Sequence, residues 1–277
     1  MNTLDGTLKN SKIGLRETLQ NSKTIFVRNF LIFKKGLLYF FSSVIFETLI
    51  YFYAFAMLLA ELINSENFSY TQFFMPSILA LIGLQTAFVE SAWNSLKRFR
   101  SKKSLVTYLS TQLRIDDIYT GELIWSVTKS FLASMVSLVL LSVLSVYNLN
   151  YFLYLIVIIV LNCWCFSALS LLLLSFSKSE MTFTKHHIFI MLPVVVFSNI
   201  FFPFSIMPKA VQALAYLSPL THVTECLRML QAGTLSMQFY IHLSLLFCMS
   251  LFLTYLSYSF IKKRVMESVY NDSSSSE

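Results

Sequence analysis

The stretch SFLASMVSLVLLSVLSVYNLNYFLYLIVIIVLNCWCFSALSLLLLSFS, residues 130–177, runs from Lys129 to Lys178 without one charged side chain. A helix needs about 20 apolar residues to cross the hydrocarbon core of a bilayer. These 48 uncharged residues therefore suffice for two crossings. Tyr147-Asn148-Leu149-Asn150 supplies the polar break between them. The stretch reads as parts of two membrane helices, at about 123–146 and 151–175, joined by a short turn.

Working outward, the same pattern places spans at about 37–60, 72–92, 187–203 and 239–261. Composition agrees. The chain is 56% hydrophobic and 13% charged, with 27 Phe, 6 Gly and 5 Pro in 277 residues. A soluble domain carries about 25% charged residues. Residues 1–22 are polar and lack the apolar core of a secretory signal. Residues 23–35, KTIFVRNFLIFKK, mix bulky apolar groups with four cations, which suits a helix lying in the headgroup layer. The expected fold is an all-α integral membrane domain over 23–265. It has an interfacial helix at 23–35, six transmembrane helices, and re-entrant outer helices before the last span. Residues 266–277 are a polar tail whose end, from Asn271, is expected to be disordered.

An even number of spans puts both termini on one side. Eighteen basic residues then share a face, in the N-terminal segment, the loops after spans 2 and 4, and the tail. Lys209 and Arg228 are the basic residues on the other face. The positive-inside rule makes the first face cytoplasmic. The net charge of +7 thus reflects membrane orientation, and no nucleic-acid partner is implied. Three of the four cysteines, Cys163, Cys165 and Cys248, lie in apolar stretches, so no disulfide framework follows. Cys163 and Cys165 have no nearby His or Cys to complete a metal site, and they read as small packing residues.

Two segments between spans are too long to be turns. The cytoplasmic one, about 93–122, reads as a basic run, a short amphipathic helix and a turn near Gly121. It is either a solvated connector or a docking surface. Arg100, Tyr108, Arg114 and Asp116 are residue types that make oriented hydrogen bonds at interfaces. The outer segment, about 203–237, opens with Pro203 and Pro208, which break the preceding helix. Ala210–Leu217 is apolar and helical. Ser218 caps a further helix with Pro219 at its first position, running to Ala232 and stopped by Gly233. Both pieces are too short to cross a bilayer. Glu225 and Arg228 stand three apart and can pair, as a surface salt bridge or at a cargo contact.

Three charges fall in or at the ends of spans: Glu47, Glu90 and Lys129. A charge in lipid is costly, so each is expected to face protein or water. Lys129 can also snorkel to the surface. Glu47 is expected to face the bundle and to have a polar or cationic partner. His186 and His187 read as interfacial residues. No catalytic signature appears: there is no Gly-Lys dipeptide to build a phosphate loop, no His-Glu-x-x-His zinc site and no nucleophile elbow. The chain reads as a non-enzyme with no metal site and no cofactor of its own. If ATP drives it, a second polypeptide must bind the ATP and its magnesium.

Four places resemble the ABC-2 class of exporter permeases, and within it the nodulation-factor (lipo-oligosaccharide) export permeases. Arg28-Asn-Phe-Leu-Ile-Phe-Lys-Lys35 is similar to the interfacial helix of that class. Glu47-Thr-Leu-Ile-Tyr51 resembles its acidic motif in span 1, with Thr48 where Pro is frequent. Tyr108 through Glu122, on to Trp125 and Thr128-Lys129, resembles the segment leading into span 3 and is the most specific match. Phe201-Phe-Pro-Phe204, Met207-Pro208 and Ser218-Pro-Leu-Thr-His222 resemble the outer re-entrant region.

The resemblance implies a coupling helix within 94–122, seated on a nucleotide-binding ATPase subunit. The coupling residues would be Arg100, Tyr108, Gln112, Leu113, Arg114, Asp116, Asp117, Gly121 and Glu122. It implies an outer gate of Pro203, Pro208, Pro219, His222, Glu225 and Arg228. It further implies a second copy of the chain, a place in the cytoplasmic (inner) membrane, and an amphipathic cargo such as a lipo-oligosaccharide, glycolipid or drug-like molecule. Two other classes remain: an ATP-independent channel or scaffold, and a membrane-embedded transferase. The transferase would need clustered His, Asp or Glu at one membrane face, and the sequence has no such cluster.

Overall fold

The computed structural model describes residues 15–63, 69–91, 114–144, 151–177 and 179–274. The described residues are all-helical. Helix α1 is Leu15–Lys34. It starts upstream of the expected residue 23, because Ser22, Ile25 and Asn29 make one continuous buried face. Gly36 turns the chain into α2, Leu37–Tyr51, which continues as a π-helix over Phe52–Leu59 and a short α3, Ala60–Ile63. Helix α4 is Tyr70–Val89, α5 Ile115–Val143, α6 Phe152–Phe176 and α7 Glu180–Phe197. A 3-10 turn at Phe204–Ile206 leads to α8, Lys209–Tyr216, then α9, Pro219–Gln231, and α10, Met237–Ser274.

Among the described residues, five helices are long and apolar enough to cross a membrane: Leu37–Ile63, Tyr70–Val89, Ile115–Val143, Phe152–Phe176 and Met237–Val265. The span expected at 187–203 falls on α7, which is not among the five. That helix ends at Phe197, before the expected boundary, and Asn199 adopts a left-handed conformation with φ 56°. The expected disorder from Asn271 is not found as far as Ser274, the last described residue. The last Gly and Pro of the chain are Gly233 and Pro219, so nothing beyond Met237 interrupts the helix.

α4 and α6 lie inside the bundle, and α2 and α10 keep much of their surface outside. Small residues let the inner helices approach. A Cβ on Gly83 of α4 would lie 2.6 Å from Asn162 Nδ2 and 2.8 Å from Ser134 Oγ. Ser126, Ser130, Ser134 and Ser137 form a fully buried stripe along α5. Its hydroxyls act as interhelical glue: Ser126 Oγ donates to Ala87 O at 3.1 Å, and Thr48 Oγ1 donates to Ser137 Oγ at 3.1 Å. From α6, Asn162 Nδ2 donates to Ala80 O and Ser170 Oγ to Phe88 O, each at 3.1 Å. Thr71 Oγ1 of α4 donates to Ala56 O, inside the π segment, at 2.7 Å. Its hydroxyl so satisfies a carbonyl of the widened turn.

Candidate functional site

Three polar clusters punctuate the apolar bundle. The first joins α1 to the start of α5. Gly121 is mid-helix and not at a turn, contrary to the sequence reading. Its missing side chain lets the helices cross closely: a Cβ would lie 2.7 Å from Ile25 Cβ and 3.0 Å from Ser22 O. Ser22 Oγ donates to Asp117 O at 2.9 Å and meets the Thr120 hydroxyl. Asp117 Oδ2 accepts from Asn21 Nδ2 and from the Arg114 backbone N–H, both at 3.0 Å. The second contact caps the first turn of α5.

One turn further on, Glu122 accepts from Arg28 Nη2 at 3.2 Å and from Asn29 Nδ2 at 3.3 Å. Arg28 Nη2 also donates to Asn29 Oδ1 at 2.7 Å, so the three side chains close a ring. Asp117 and Glu122 are 1% and 3% exposed. Carboxylates this buried persist because partners satisfy them. Trp125 completes the seam, with Phe26, Phe30 and Phe33 of α1 edge-on to it at 5.3, 6.5 and 5.6 Å. Asp116 turns to α10, where its Oδ1 accepts from Tyr258 OH at 2.7 Å. Asp116, Asp117, Gly121 and Glu122 thus all meet helices of their own chain. Arg100, Tyr108, Gln112 and Leu113 lie outside the described residues.

The second cluster lines a cavity of about 780 Å³ between α1, α2, α4, α5 and α7. All three intramembrane charges reach it. Glu90 is held on both oxygens: Oε2 by Lys129 Nζ and Oε1 by Trp125 Nε1, each at 2.6 Å. The Lys129 ammonium also lies 5.3 and 5.4 Å from the Phe33 and Phe40 ring centres. Lys129 is therefore paired and aromatic-stacked inside the bundle, so snorkelling is not its role. Glu47 lines the same cavity, and among the described residues no cation lies within ion-pair distance of it.

The third cluster holds the outer segment. Arg228 of α9 donates from Nε to Phe73 O at 3.1 Å, from Nη1 to Glu225 Oε1 at 3.0 Å, and from Nη2 to Ser77 Oγ at 3.1 Å and Asn199 O at 2.6 Å. Its guanidinium stacks 3.7 Å from the Phe73 ring centre. Asn199 Nδ2 donates to Glu225 Oε1 at 2.5 Å. Burial pulls the Arg228 pKa down to about 10, against the pull of Glu225, so the side chain stays charged at neutral pH. The pair is a partly buried clasp, with the Arg228 and Glu225 side chains 13% and 22% exposed.

Around it, Pro208 precedes α8 and Pro219 begins α9, while Pro203 precedes the 3-10 turn. The Ser218 side chain makes no cap. It meets the Ser198 hydroxyl at 2.5 Å. Gly233, at φ 71°, ends α9 with Thr234 N–H to Met229 O at 2.9 Å and its own N–H to Leu230 O at 3.1 Å. His222 is buried against His242 of α10.

The sequence reading missed the partners. Asn21, Ser22 and Asn29 are common polar residues without a motif, and Asn199 and Ser77 come to Arg228 from far along the chain. Positions 22, 25 and 29 were the available signal, because their three- and four-residue spacing along one helix face begins upstream of residue 23.

A family model described as ABC-2 type transporter matches residues 20–232. Nodulation protein J of Rhizobium meliloti (strain 1021) is 25% identical over 240 residues, covering 86% of this chain and 92% of that protein. Nodulation protein J of Rhizobium leguminosarum bv. viciae is 24% identical over 248 residues, covering 89% and 95%. Nodulation protein J of Bradyrhizobium diazoefficiens is 28% identical over 170 residues, covering 61% and 65%.

Proposed function

The chain belongs to the ABC-2 type transporter family, and from that premise we propose that it is the permease subunit of an exporter powered by a separate ATPase chain. Its cargo is amphipathic and moves outward across the cytoplasmic membrane. Both termini face the cytoplasm, which agrees with eighteen basic residues on that side against two on the other. α7 then serves as the further crossing element that makes the count even.

One observation carries the mechanical part. α1 is joined to the start of α5 by two satisfied buried carboxylates, Asp117 and Glu122, directly after the stretch 94–113. A push on that stretch by an ATPase reaches α1 and α5 as one rigid body. The docking contacts belong to Arg100, Tyr108, Gln112, Leu113 and Arg114, and the carboxylates that follow transmit the push. ATP binding then biases the bundle between two packings, the population shift common to such machines. A second copy of the chain covers part of the apolar surface left by α2 and α7.

Extraction in mild detergent is expected to bring down a nucleotide-binding chain with this one. Inverted vesicles should accumulate an amphipathic probe only with ATP. Purification free of any nucleotide-binding chain, with ATP-independent flux, would favour the channel or scaffold reading.

A further inference from the structure

The cavity between α1, α2, α4, α5 and α7 has apolar walls and an unbalanced charge. Phe33, Phe40, Val44, Met191 and Val195 supply much of the wall. Tyr39, Ile188 and Leu192 line it as well and are 81%, 54% and 63% exposed, so the cavity reaches the apolar outer surface between α2 and α7. Its volume of about 780 Å³ falls in the range of sites for small ligands, roughly 300–1,000 Å³.

The charges decide what fits. Glu90 and Lys129 neutralise each other at 2.6 Å, and Trp125 occupies the second Glu90 oxygen. Glu47 is left as a carboxylate without a cation among the described residues. His187 lines the same cavity, and its Nδ1 is buried without a hydrogen-bond partner. Gln85, also lining it, is held by its amide to Tyr51 OH at 2.7 Å. Two polar groups in an apolar chamber thus lack counterparts. A part-buried carboxylate favours hydrogen-bond donors and cations and repels anions.

We propose that Glu47 is a head-group-selecting residue: the cavity takes an amphiphile whose head presents hydroxyl or protonated amine donors to the Glu47 carboxylate, and it rejects anionic heads. The apolar tail lies toward α2 and α7, where the cavity meets the outer surface. The assignment rests on the permease reading only for the direction in which the ligand then travels.

Binding of three amphiphiles sharing a twelve-carbon tail tests this, with the full-length protein in nanodiscs and empty nanodiscs as background. The probes are dodecyl maltoside, dodecylamine and dodecanoate. Dodecyl maltoside and dodecylamine are expected to bind about tenfold tighter than dodecanoate. Glu47→Gln should keep the maltoside affinity, lose the advantage of the amine and admit dodecanoate. A wild type that binds all three alike, binds none, or prefers dodecanoate overturns the assignment, and so does a Glu47→Gln variant with the wild-type ranking. If Glu47→Gln does not survive extraction, Glu47→Asp carries the test. The folded Asp variant must keep the preference for donor heads, and its loss there overturns the role of the charge. Failure to recover an ATPase chain would refute the permease reading and leave this ranking unchanged.

Discussion

His222 of α9 and His242 of α10 face each other Nδ1 to Nδ1 at 2.8 Å. The other nitrogen of His222, Nε2, lies 3.0 Å from Tyr216 O, which can only accept. Nε2 therefore carries the proton, Nδ1 of neutral His222 accepts, and His242 Nδ1–H donates. The arrangement requires the accepting ring, His222, to be uncharged. Burial holds the His222 pKa below its ordinary value of 6.5, and the neighbouring His242 adds to the effect.

The pH dependence follows from that sign. Between the depressed folded value and 6.5 the unfolded chain binds more protons than the folded one. The contribution is thus fully present above pH 6.5 and is lost as pH falls through the folded value. Thermal stability of the purified protein should drop on acidification from about pH 7.5 to about pH 5.5. His222→Gln should lower stability at the higher pH and flatten the dependence. An unchanged slope in that variant would show that other groups set it.

Arg228→Lys is expected to cost about 2–4 kcal/mol of stability. Lysine is a single point of charge and cannot reach Phe73 O, Ser77 Oγ, Asn199 O and Glu225 together as the guanidinium does. Limited proteolysis should then cut the segment between α7 and α9 sooner than in the wild type. Equal cutting rates would mean that the clasp contributes nothing to holding that segment.

The seam between α1 and α5 predicts that these helices move together. Ser22 and Thr120 touch through their hydroxyls, so the Ser22→Cys/Thr120→Cys pair should form a disulfide under mild oxidation. Transport should survive the cross-link. Asp117→Ala, which leaves Asn21 Nδ2 and the Arg114 N–H without their shared acceptor, should destabilise by roughly 1–3 kcal/mol and uncouple ATP hydrolysis from transport. Loss of transport on cross-linking would show that the two helices must separate.

Arg114 and Asp116 are expected to behave differently on charge reversal. Arg114→Glu should uncouple hydrolysis from transport while insertion stays intact. Asp116→Lys also breaks the 2.7 Å bond that Asp116 Oδ1 accepts from Tyr258 OH of α10. Tyr258→Phe removes the same bond without touching the cytoplasmic stretch. If Tyr258→Phe reproduces the transport defect of Asp116→Lys, Asp116 acts through α10 and not through a docked partner.

What the sequence disclosed was the arrangement along the chain. An uncharged run of 48 residues announces two membrane helices whatever surrounds it. Pro208, Pro219 and Gly233 mark helix ends because backbone chemistry is local. Tertiary partnership left no such trace. Gly121 looked like a turn, since glycine serves both turns and close helix crossings, and Ile25, 96 residues earlier, decides between them. The pairing of Glu90 with Lys129 spans 39 residues, and Arg228 finds Ser77 across 151, where no periodicity reaches. α7 falls outside the five spanning helices, and Lys185, His186 and His187 dilute its apolar run.

The Arg228 clasp constrains how the outer end can open. One guanidinium binds α4, α9 and the turn after α7. These three elements form a fixed corner, and breaking it would leave an arginine stranded in an apolar setting. Under the permease reading, a path to the outside would then part away from this corner, which the π-helix also borders through Phe55 against Phe74 and Phe201. The corner would then serve as a pivot for the helices that move.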